Sequence, residues 1–291
     1  MSEELVTRSE NKYRIKKCAA IHDFSGYGKC SLAVVIPILN ASCVQTASVP
    51  TAVFSNHTAF PAYYAHDLTD HMMPIAETWK KLDLKVDAVY TGFLGSLEQI
   101  QIVSDIIEMF TSEDRENKII FVDPVMGDNG KLYRTYTDEM ADGVKSLCEK
   151  ADIISPNMTE AARILGIEYK EGPYTPEFVE SVLKGLLGLG VKCAVLTGVR
   201  YNDEEIGAAA MGRDGKMYTA FAKRFPGFFQ GTGDVFASVM LGQLLSGRSI
   251  EDSLKKAVSF TGKAIANTVE SGFNPLEGVI FEPEMKTLSA F

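Results

Sequence analysis

Gly231-Thr232-Gly233-Asp234-Val235-Phe236-Ala237, where a loop runs into an apolar helical segment, is the stretch on which the reading of this chain turns. Two glycines let the backbone turn tightly and aim its N–H groups at one point, and the dipole of the following helix adds partial positive charge there. The product is an anion hole. Asp234 has two readings in that setting. A carboxylate is a favoured first-turn residue and can cap the helix. If a γ-phosphoryl group rests on the N–H groups, the same carboxylate is placed to accept the proton of an attacking hydroxyl.

Outward from this stretch, short apolar runs ending in polar or Gly-rich turns alternate with segments of helical period, the pattern of βαβ units around a mostly parallel sheet. The expected strands are Cys18–Ile21, Ala88–Tyr90, Ile119–Val122, Ile153–Ile154 and Ala194–Leu196. The expected helices are Ser31–Leu39, Leu97–Phe110, Asp138–Glu149, Glu177–Leu187 and Val235–Leu245. Glu205 to Phe225 reads as a β-hairpin turning at Arg213-Asp214-Gly215. No linker separates two self-contained halves, so residues 1–16 are read as a polar tail and 17–291 as one α/β domain.

In open α/β sheets ligands bind beyond the carboxyl ends of the strands. The residues just past the expected strands are His22-Asp23, Thr91-Gly92, Asp123-Pro124, Ser155-Pro156-Asn157 and Thr197-Gly198. Asp123 opens the run Asp123-Pro124-Val125-Met126-Gly127-Asp128-Asn129-Gly130 and is placed to hold Mg²⁺ through water, since hard cations prefer oxygen ligands. Asp128-Asn129-Gly130 taken alone is turn chemistry. Asn157 and Glu160 lie one helical turn apart and can share a metal or phosphate, or form a capping box, or do both. No Walker A spacing exists, because Gly26-Tyr27-Gly28-Lys29-Cys30-Ser31 lacks it, and no Gly-x-Gly-x-x-Gly follows the first strand. His22, His57, His66 and His71 have no metal-ligand spacing, and Trp79 reads as packing.

Asp123 to Asp128, Asn157 to Glu160 and Gly231 to Asp234 together resemble the ribokinase-like superfamily. Val53-Phe54-Ser55-Asn56-His57-Thr58 and Thr91-Gly92-Phe93-Leu94-Gly95-Ser96 look like segments of its vitamin B6 kinase branch, and the match runs from Cys18 to about Val269. The resemblance implies an α-β-α sandwich around a mostly parallel sheet with a small antiparallel edge. It also implies a homodimer and transfer of the γ-phosphoryl of ATP to the 5′-hydroxymethyl of pyridoxal, pyridoxine or pyridoxamine. Asp234 would be the base, and the N–H groups of Gly231, Thr232 and Gly233 would stabilise the phosphoryl in flight. Asp123, Glu160 and Asn157 would manage Mg²⁺ and its waters, with K⁺ as a common monovalent cation of the family. On the nucleotide side the resemblance places Asn157, Glu160, Ser155, Thr197 and Asp128, with Tyr133 as part of a flap. On the substrate side it places Asp23, Thr58 and Phe93. Asp23 stands where a serine is common, and a carboxylate there could pair with a protonated ring nitrogen or an exocyclic amine; the alternative is a capping Asp.

Composition narrows the partners. The chain has 291 residues and a net charge of −9 with no basic block beyond Lys12 to Lys17, which disfavours a nucleic-acid surface. The five cysteines are an odd number without a CxxC pair, so reduced, buried thiols are expected. No apolar run reaches the roughly 20 residues of a membrane span, and Met1 to Lys17 is unlike a signal peptide, so a cytoplasmic location is expected. Two rivals remain. A hydroxymethylpyrimidine kinase shares the Asp-Pro-Val-Met segment but tends to carry Cys at the position of Asp234, and a pyridoxal phosphate binding protein would have no need of a base beside an anion hole.

Overall fold

The computed structural model describes residues 14–133 and 136–289, so residues 1–13 of the expected tail lie outside the described residues. In chain order the strands are β1 (Lys16–Ser25), β2 (Val44–Phe54), β3 (Ala65–Asp67), β4 (Ala88–Thr91), β5 (Ile119–Val122), β6 (Gly127–Asp128), β7 (Lys131–Leu132), β8 (Ile153–Ile154), β9 (Cys193–Val199), β10 (Glu205–Gly212) and β11 (Met217–Lys223). The helices are α1 (Leu32–Ala41), α2 (Thr69–Lys81), α3 (Leu97–Thr111), α4 (Asp138–Lys150), α5 (Met158–Leu165), α6 (Pro176–Leu187), α7 (Thr232–Leu245) and α8 (Ile250–Ser271). One sheet of nine strands runs β11-β10-β9-β8-β5-β4-β1-β2-β3. From β9 across to β2 the strands are parallel. The antiparallel pairs are β3 on β2 at one edge and the expected β10–β11 hairpin at the other.

The central strands β4, β5 and β8, and most of β1 and β9, are buried on both faces, which is why they read as continuous apolar runs rather than alternating ones. Along β1, Ala19 and Ile21 face the core under α2 to α6, while Cys18 and Ala20 face the core under α1, α7 and α8. The molecule is thus an α-β-α sandwich. Trp79 packs tilted against Phe110, ring centroids 6.2 Å apart, as expected of a packing residue. None of the five cysteines is in a disulfide, and four of them are buried.

The sequence-based expectation lacks the short strands β3, β6 and β7 and three longer elements, β2, α2 and α8. β2 carries Pro50, a residue that argues against a strand, yet it sits in register with His22 of β1. α2 contains Pro74. The buried face of α8 is built of Ser253, Ala257, Ala264 and Thr268 as well as Leu254, Val258 and Phe260, so its apolar period is diluted.

Phe121, at the centre of the sheet, is fully buried and meets Tyr90 edge-to-face at 5.3 Å. Replacing it by alanine removes that packing and leaves a cavity. Phe121→Ala should lower the free energy of unfolding by about 3–5 kcal/mol, read from the denaturant midpoint.

Candidate active site

The sheet order reverses at β1: the chain passes from β1 to β2 on one side and continues through β4, β5, β8 and β9 on the other. The crevice beyond the carboxyl ends of β1 and β4 is therefore the topological switch point, where ligands of open α/β sheets bind. A separate cavity of about 590 Å³ includes Lys16, Lys80, Asp87, Glu113 and Lys118 in its lining. Its cations are spent on its own acids and carbonyls, with Lys16 on Asp87 at 2.8 Å, Lys80 on Glu113 at 2.8 Å and Lys118 on the Val86 carbonyl at 2.6 Å.

α7 starts earlier than expected, at Thr232, so Thr232, Gly233 and Asp234 form its first turn and Gly231 is its N-cap. The first intrahelical bond is Val235 N–H to Gly231 C=O. The N–H groups before it have no carbonyl within the helix and point out of its positive end. Gly231 has φ 76°, and a Cβ on it would stand 2.0 Å from the Lys29 carbonyl oxygen, whereas a Cβ on Gly233 would meet nothing within 4 Å. The cradle is thus tight behind Gly231 and open in front of Gly233. Asp234 is not the N-cap of its helix, a place taken by Gly231. Its Oδ2 instead accepts the Ser31 N–H at 2.8 Å. The dense surround lifts its carboxyl to about 7: desolvation raises it most, the Ser31 N–H pulls it back, and the charge of Asp23 raises it further. A group that titrates there can take and return a proton near neutrality.

Asp23 lies within β1 and is buried; its Oδ1 accepts the Ser31 hydroxyl at 2.6 Å and its Oδ2 the Ser25 hydroxyl at 3.4 Å. Burial raises its carboxyl, and the two hydroxyls work against that. Beneath the crevice, His22 is held neutral by burial at about 3. Among the described residues neither of its ring nitrogens has a partner in hydrogen-bond geometry, and the Tyr90 and Ser238 hydroxyls stand near each other but outside that geometry.

The second half of the site is carried by α5. Asn157 and Glu160 form the capping box in full: the Asn157 side chain accepts from Glu160 N–H at 3.0 Å, and Glu160 Oε2 accepts from Asn157 N–H at 2.8 Å. The same residues reach across to the β6–β7 ribbon. Glu160 Oε1 accepts the Met126 N–H at 3.1 Å, Asn157 donates to the Gly127 carbonyl at 2.9 Å, and Thr159 accepts from Gly130 N–H at 2.9 Å. Asp123, at the end of β5, is buried beside Glu160, and burial with that like charge pushes the Asp123 carboxyl well up. Burial raises Glu160 too, against its backbone donors. Two buried acids that disfavour each other's charge suit a hard cation, and Mg²⁺ characteristically takes one or two carboxylates and completes its shell with water and phosphate oxygens. Asp123 is the freer ligand, because both Glu160 oxygens already accept backbone donors. Among the described residues no three His, Cys, Asp or Glu side chains converge on one point. The Ser155 hydroxyl stands near Asp123 but outside hydrogen-bond geometry.

Thr197, on β9, bridges to Asn157 and donates its N–H to the Pro156 carbonyl at 2.9 Å, which brings it to the α5 side of the crevice. Asp128 accepts from its neighbour Asn129 in the ribbon turn, and Tyr133, 41% exposed, is tied to it by its N–H on the Met126 carbonyl at 2.9 Å. Of the residues expected to meet the substrate, Thr58 is exposed in the turn after β2, and Phe93 stands 6.0 Å from Tyr136. Neither shares a hydrogen bond or ring contact with Asp23 or Asp234 among the described residues. Sequence reasoning missed Ser31 as more than a helix start, and it missed a C-terminal brace. Lys29 N–H donates to the Glu277 carbonyl at 2.9 Å, the Tyr27 hydroxyl to the Glu277 carboxylate at 2.5 Å, and His57 Nε2 meets the Leu276 carbonyl at 2.7 Å. The sole local signal was the glycine pair Gly26 and Gly28; a Cβ on Gly28 would strike the His57 ring.

The contrast between the two cradle glycines is testable. Gly231→Ala should cost about 1–3 kcal/mol of stability, from its left-handed backbone and its closeness to Lys29, whereas Gly233→Ala should be neutral or slightly stabilising; thermal denaturation of both reads the difference.

The phosphomethylpyrimidine kinase family model matches residues 39–277. A Bacteroides thetaiotaomicron VPI-5482 protein assigned to the phosphomethylpyrimidine kinases is 39% identical, with a TM-score of 0.90 over 95% of each chain. A second crystal form of it, with pyridoxal, superposes with a TM-score of 0.87 over 94% of this chain and 96% of that one. The pyridoxal kinase of Lactobacillus plantarum is 28% identical, with a TM-score of 0.86 over 94% and 97%. Pyridoxal kinase PdxY of Aliivibrio fischeri is 27% identical over 89% of this chain and 90% of its own. With the sandwich fold and the α7 cradle in hand, these likenesses place the chain in the phosphomethylpyrimidine kinase family, as a kinase of the pyridoxal kinase branch of the ribokinase-like superfamily.

Proposed function

We propose that residues 17–291 act as one kinase domain that transfers the γ-phosphoryl group of ATP to the 5′-hydroxymethyl group of a B6 vitamer. The observation that carries this is Asp234 in the first turn of α7, beside outward-pointing N–H groups and raised to about 7. A carboxylate there accepts the proton of the attacking hydroxyl, while the N–H groups of Gly231, Thr232 and Gly233 stabilise charge on the transferring phosphoryl oxygens. Catalysis is then mostly positioning and electrostatics, as in phosphoryl transfer generally. The pyridoxal in the second Bacteroides form and the pyridoxal kinase relatives support a B6 vitamer as acceptor. Asp234 favours this over the pyrimidine, whose kinases tend to carry Cys there.

In this reading Asp23, Thr58 and Phe93 surround the pyridine ring. Asn157, Glu160, Ser155, Thr197 and Asp128 serve the nucleotide, and Tyr133 belongs to the flap over it. Asp123, with Glu160 behind it, would hold Mg²⁺, which supplies charge neutralisation at the phosphates; K⁺ is the expected monovalent cation. A cytoplasmic homodimer completes the proposal. Among the described residues no helix is long and apolar enough to cross a membrane.

The test is coupled ADP release with Mg-ATP and K⁺, offering pyridoxal, pyridoxine, pyridoxamine, hydroxymethylpyrimidine and ribose in turn. A B6 vitamer should turn over, and Asp234→Ala should lose about 10²–10⁴-fold in kcat. The base must be ionised, so kcat should fall as pH drops through about 7. Turnover of the pyrimidine alone would replace the acceptor, and no ADP with any acceptor would leave a binding protein.

A stability measurement guards that result. Because the Asp234 carboxyl is raised from 3.8 to about 7 in the folded chain, the native state binds the extra proton between those values, and stability falls as pH rises through that window. Asp234→Asn lacks the ionisation, so at pH 8 it should unfold no more easily than wild type while remaining inactive. Asp123→Asn should raise the Mg²⁺ concentration needed for half-maximal rate, read from a Mg²⁺ titration at fixed ATP.

A further inference from the structure

We propose that Asp23 and Ser31 form with Asp234 a buried three-residue chain that fixes where the Asp234 carboxylate points and how readily it ionises. Asp23 and Ser31 are positioning residues in this scheme, and the proposal rests on Asp234 being the base.

The chain is short and direct. The Ser31 N–H donates to Asp234 Oδ2 at 2.8 Å and its hydroxyl donates to Asp23 Oδ1 at 2.6 Å. One residue thus grips both carboxylates with its two donors, and it joins β1 to α7 through the loop before α1. Ser31 is the N-cap of α1, where a serine hydroxyl ordinarily accepts from the helix's own N–H groups. Here no side-chain cap bond forms. The hydroxyl is turned away from its own helix toward Asp23. The backbone is turned as well: Ser31 has φ 49° and ψ −135°, a left-handed φ that a residue with a Cβ rarely adopts. Strained backbone of this kind persists where surrounding contacts over-determine it, and such positions cluster at functional sites. The contacts here are the two carboxylates themselves and the wedge of Gly231 against Lys29 and Cys30 just upstream.

The electrostatics follow from the same geometry. Asp23, Cys30, Tyr90, Asp123 and Tyr133 face Asp234 from β1, the Lys29–Ser31 loop, β4, β5 and the ribbon, and none of them is a cation. The Ser31 N–H favours the ionised form of Asp234, and the Asp23 charge disfavours it. Burial raises the Asp23 carboxyl, and the hydroxyls of Ser31 and Ser25 favour its ionised form against that. Without the Ser31 hydroxyl it retains only the long 3.4 Å contact to Ser25, and burial then favours its neutral form. Loss of either the Asp23 carboxylate or the Ser31 hydroxyl therefore removes negative charge beside the base and lets it ionise at lower pH.

The experiment is the pH dependence of kcat, at saturating ATP and the preferred vitamer, for wild type, Asp23→Asn, Ser31→Ala, Ser31→Gly, the Asp23→Asn/Ser31→Ala double variant and Asp234→Ala. Each single variant at positions 23 and 31 should lower plateau kcat by about ten- to a hundredfold and move the acid limb to lower pH. Ser31→Ala should leave the KM for the vitamer unchanged, and the double variant should be no worse than Asp23→Asn alone. Ser31→Gly relieves the left-handed backbone, so the same limb shift in a variant at least as stable as wild type excludes misfolding as the cause. An acid limb unmoved in Ser31→Ala and Ser31→Gly, or losses that multiply in the double variant, would overturn the chain while leaving the base in place. Full activity in Asp234→Ala would instead remove the base, and the chain with it.

Discussion

Gly231 and the Lys29 carbonyl stand so close that no side chain fits between them, and that single close approach ties the first turn of α7 to the loop leading out of β1. The rest of the site follows from it. With Gly231 seated there, the first turn of α7 opens its N–H groups toward the crevice, and Asp234 in that turn comes within reach of the Ser31 amide. Only a backbone that accepts a left-handed φ without a Cβ penalty can make this join. The apolar body of α7, buried over Val235 to Leu241, anchors the turn against the sheet so that the contact is not optional.

The site concentrates acids in a protein that is already acidic. Asp23, Asp123 and Glu160 are buried at strand ends or a helix start, with Asp234 among them. Charge of one sign at that density is held by donors rather than by cations: serine hydroxyls on Asp23, the Ser31 amide on Asp234, and amides with a capping box on Glu160. Such a frame leaves the arriving partners to complete the balance, and a nucleotide that brings hard cations with its phosphates has the complementary character. The α5 capping box shows that structural and ligand-facing duties need not compete, since Asn157 and Glu160 cap a helix and pin the β6–β7 ribbon at once.

Much of this was legible in the sequence because it is local. The βαβ alternation, the β10–β11 hairpin, the cap at Asn157 and the glycine turn before α7 are all set by residues within a few positions of one another. The parts that were not legible depend on distance. The Ser31 to Asp234 contact spans 203 positions, and the brace from Glu277 to Tyr27 spans 250. β2 and α2 were obscured by prolines that tertiary packing accommodates, and α8 by the small and polar residues of its buried face. Asp23 shows the limit most clearly: its residue type announced a polar role, but only the fold reveals that both its oxygens are occupied by serine hydroxyls of the same loop.

The brace has a consequence for how the protein is made. Among the described residues every strand and all but the last turns of helix precede Pro275, yet the loop that carries Tyr27 and Lys29 is held by the carbonyl and the carboxylate of Glu277. During synthesis the sheet can therefore gather before the mouth of the crevice is fastened. The loop after β1 waits for a segment 250 positions further along the chain, so its hold on the crevice comes only after residues 275–277 have been made and docked.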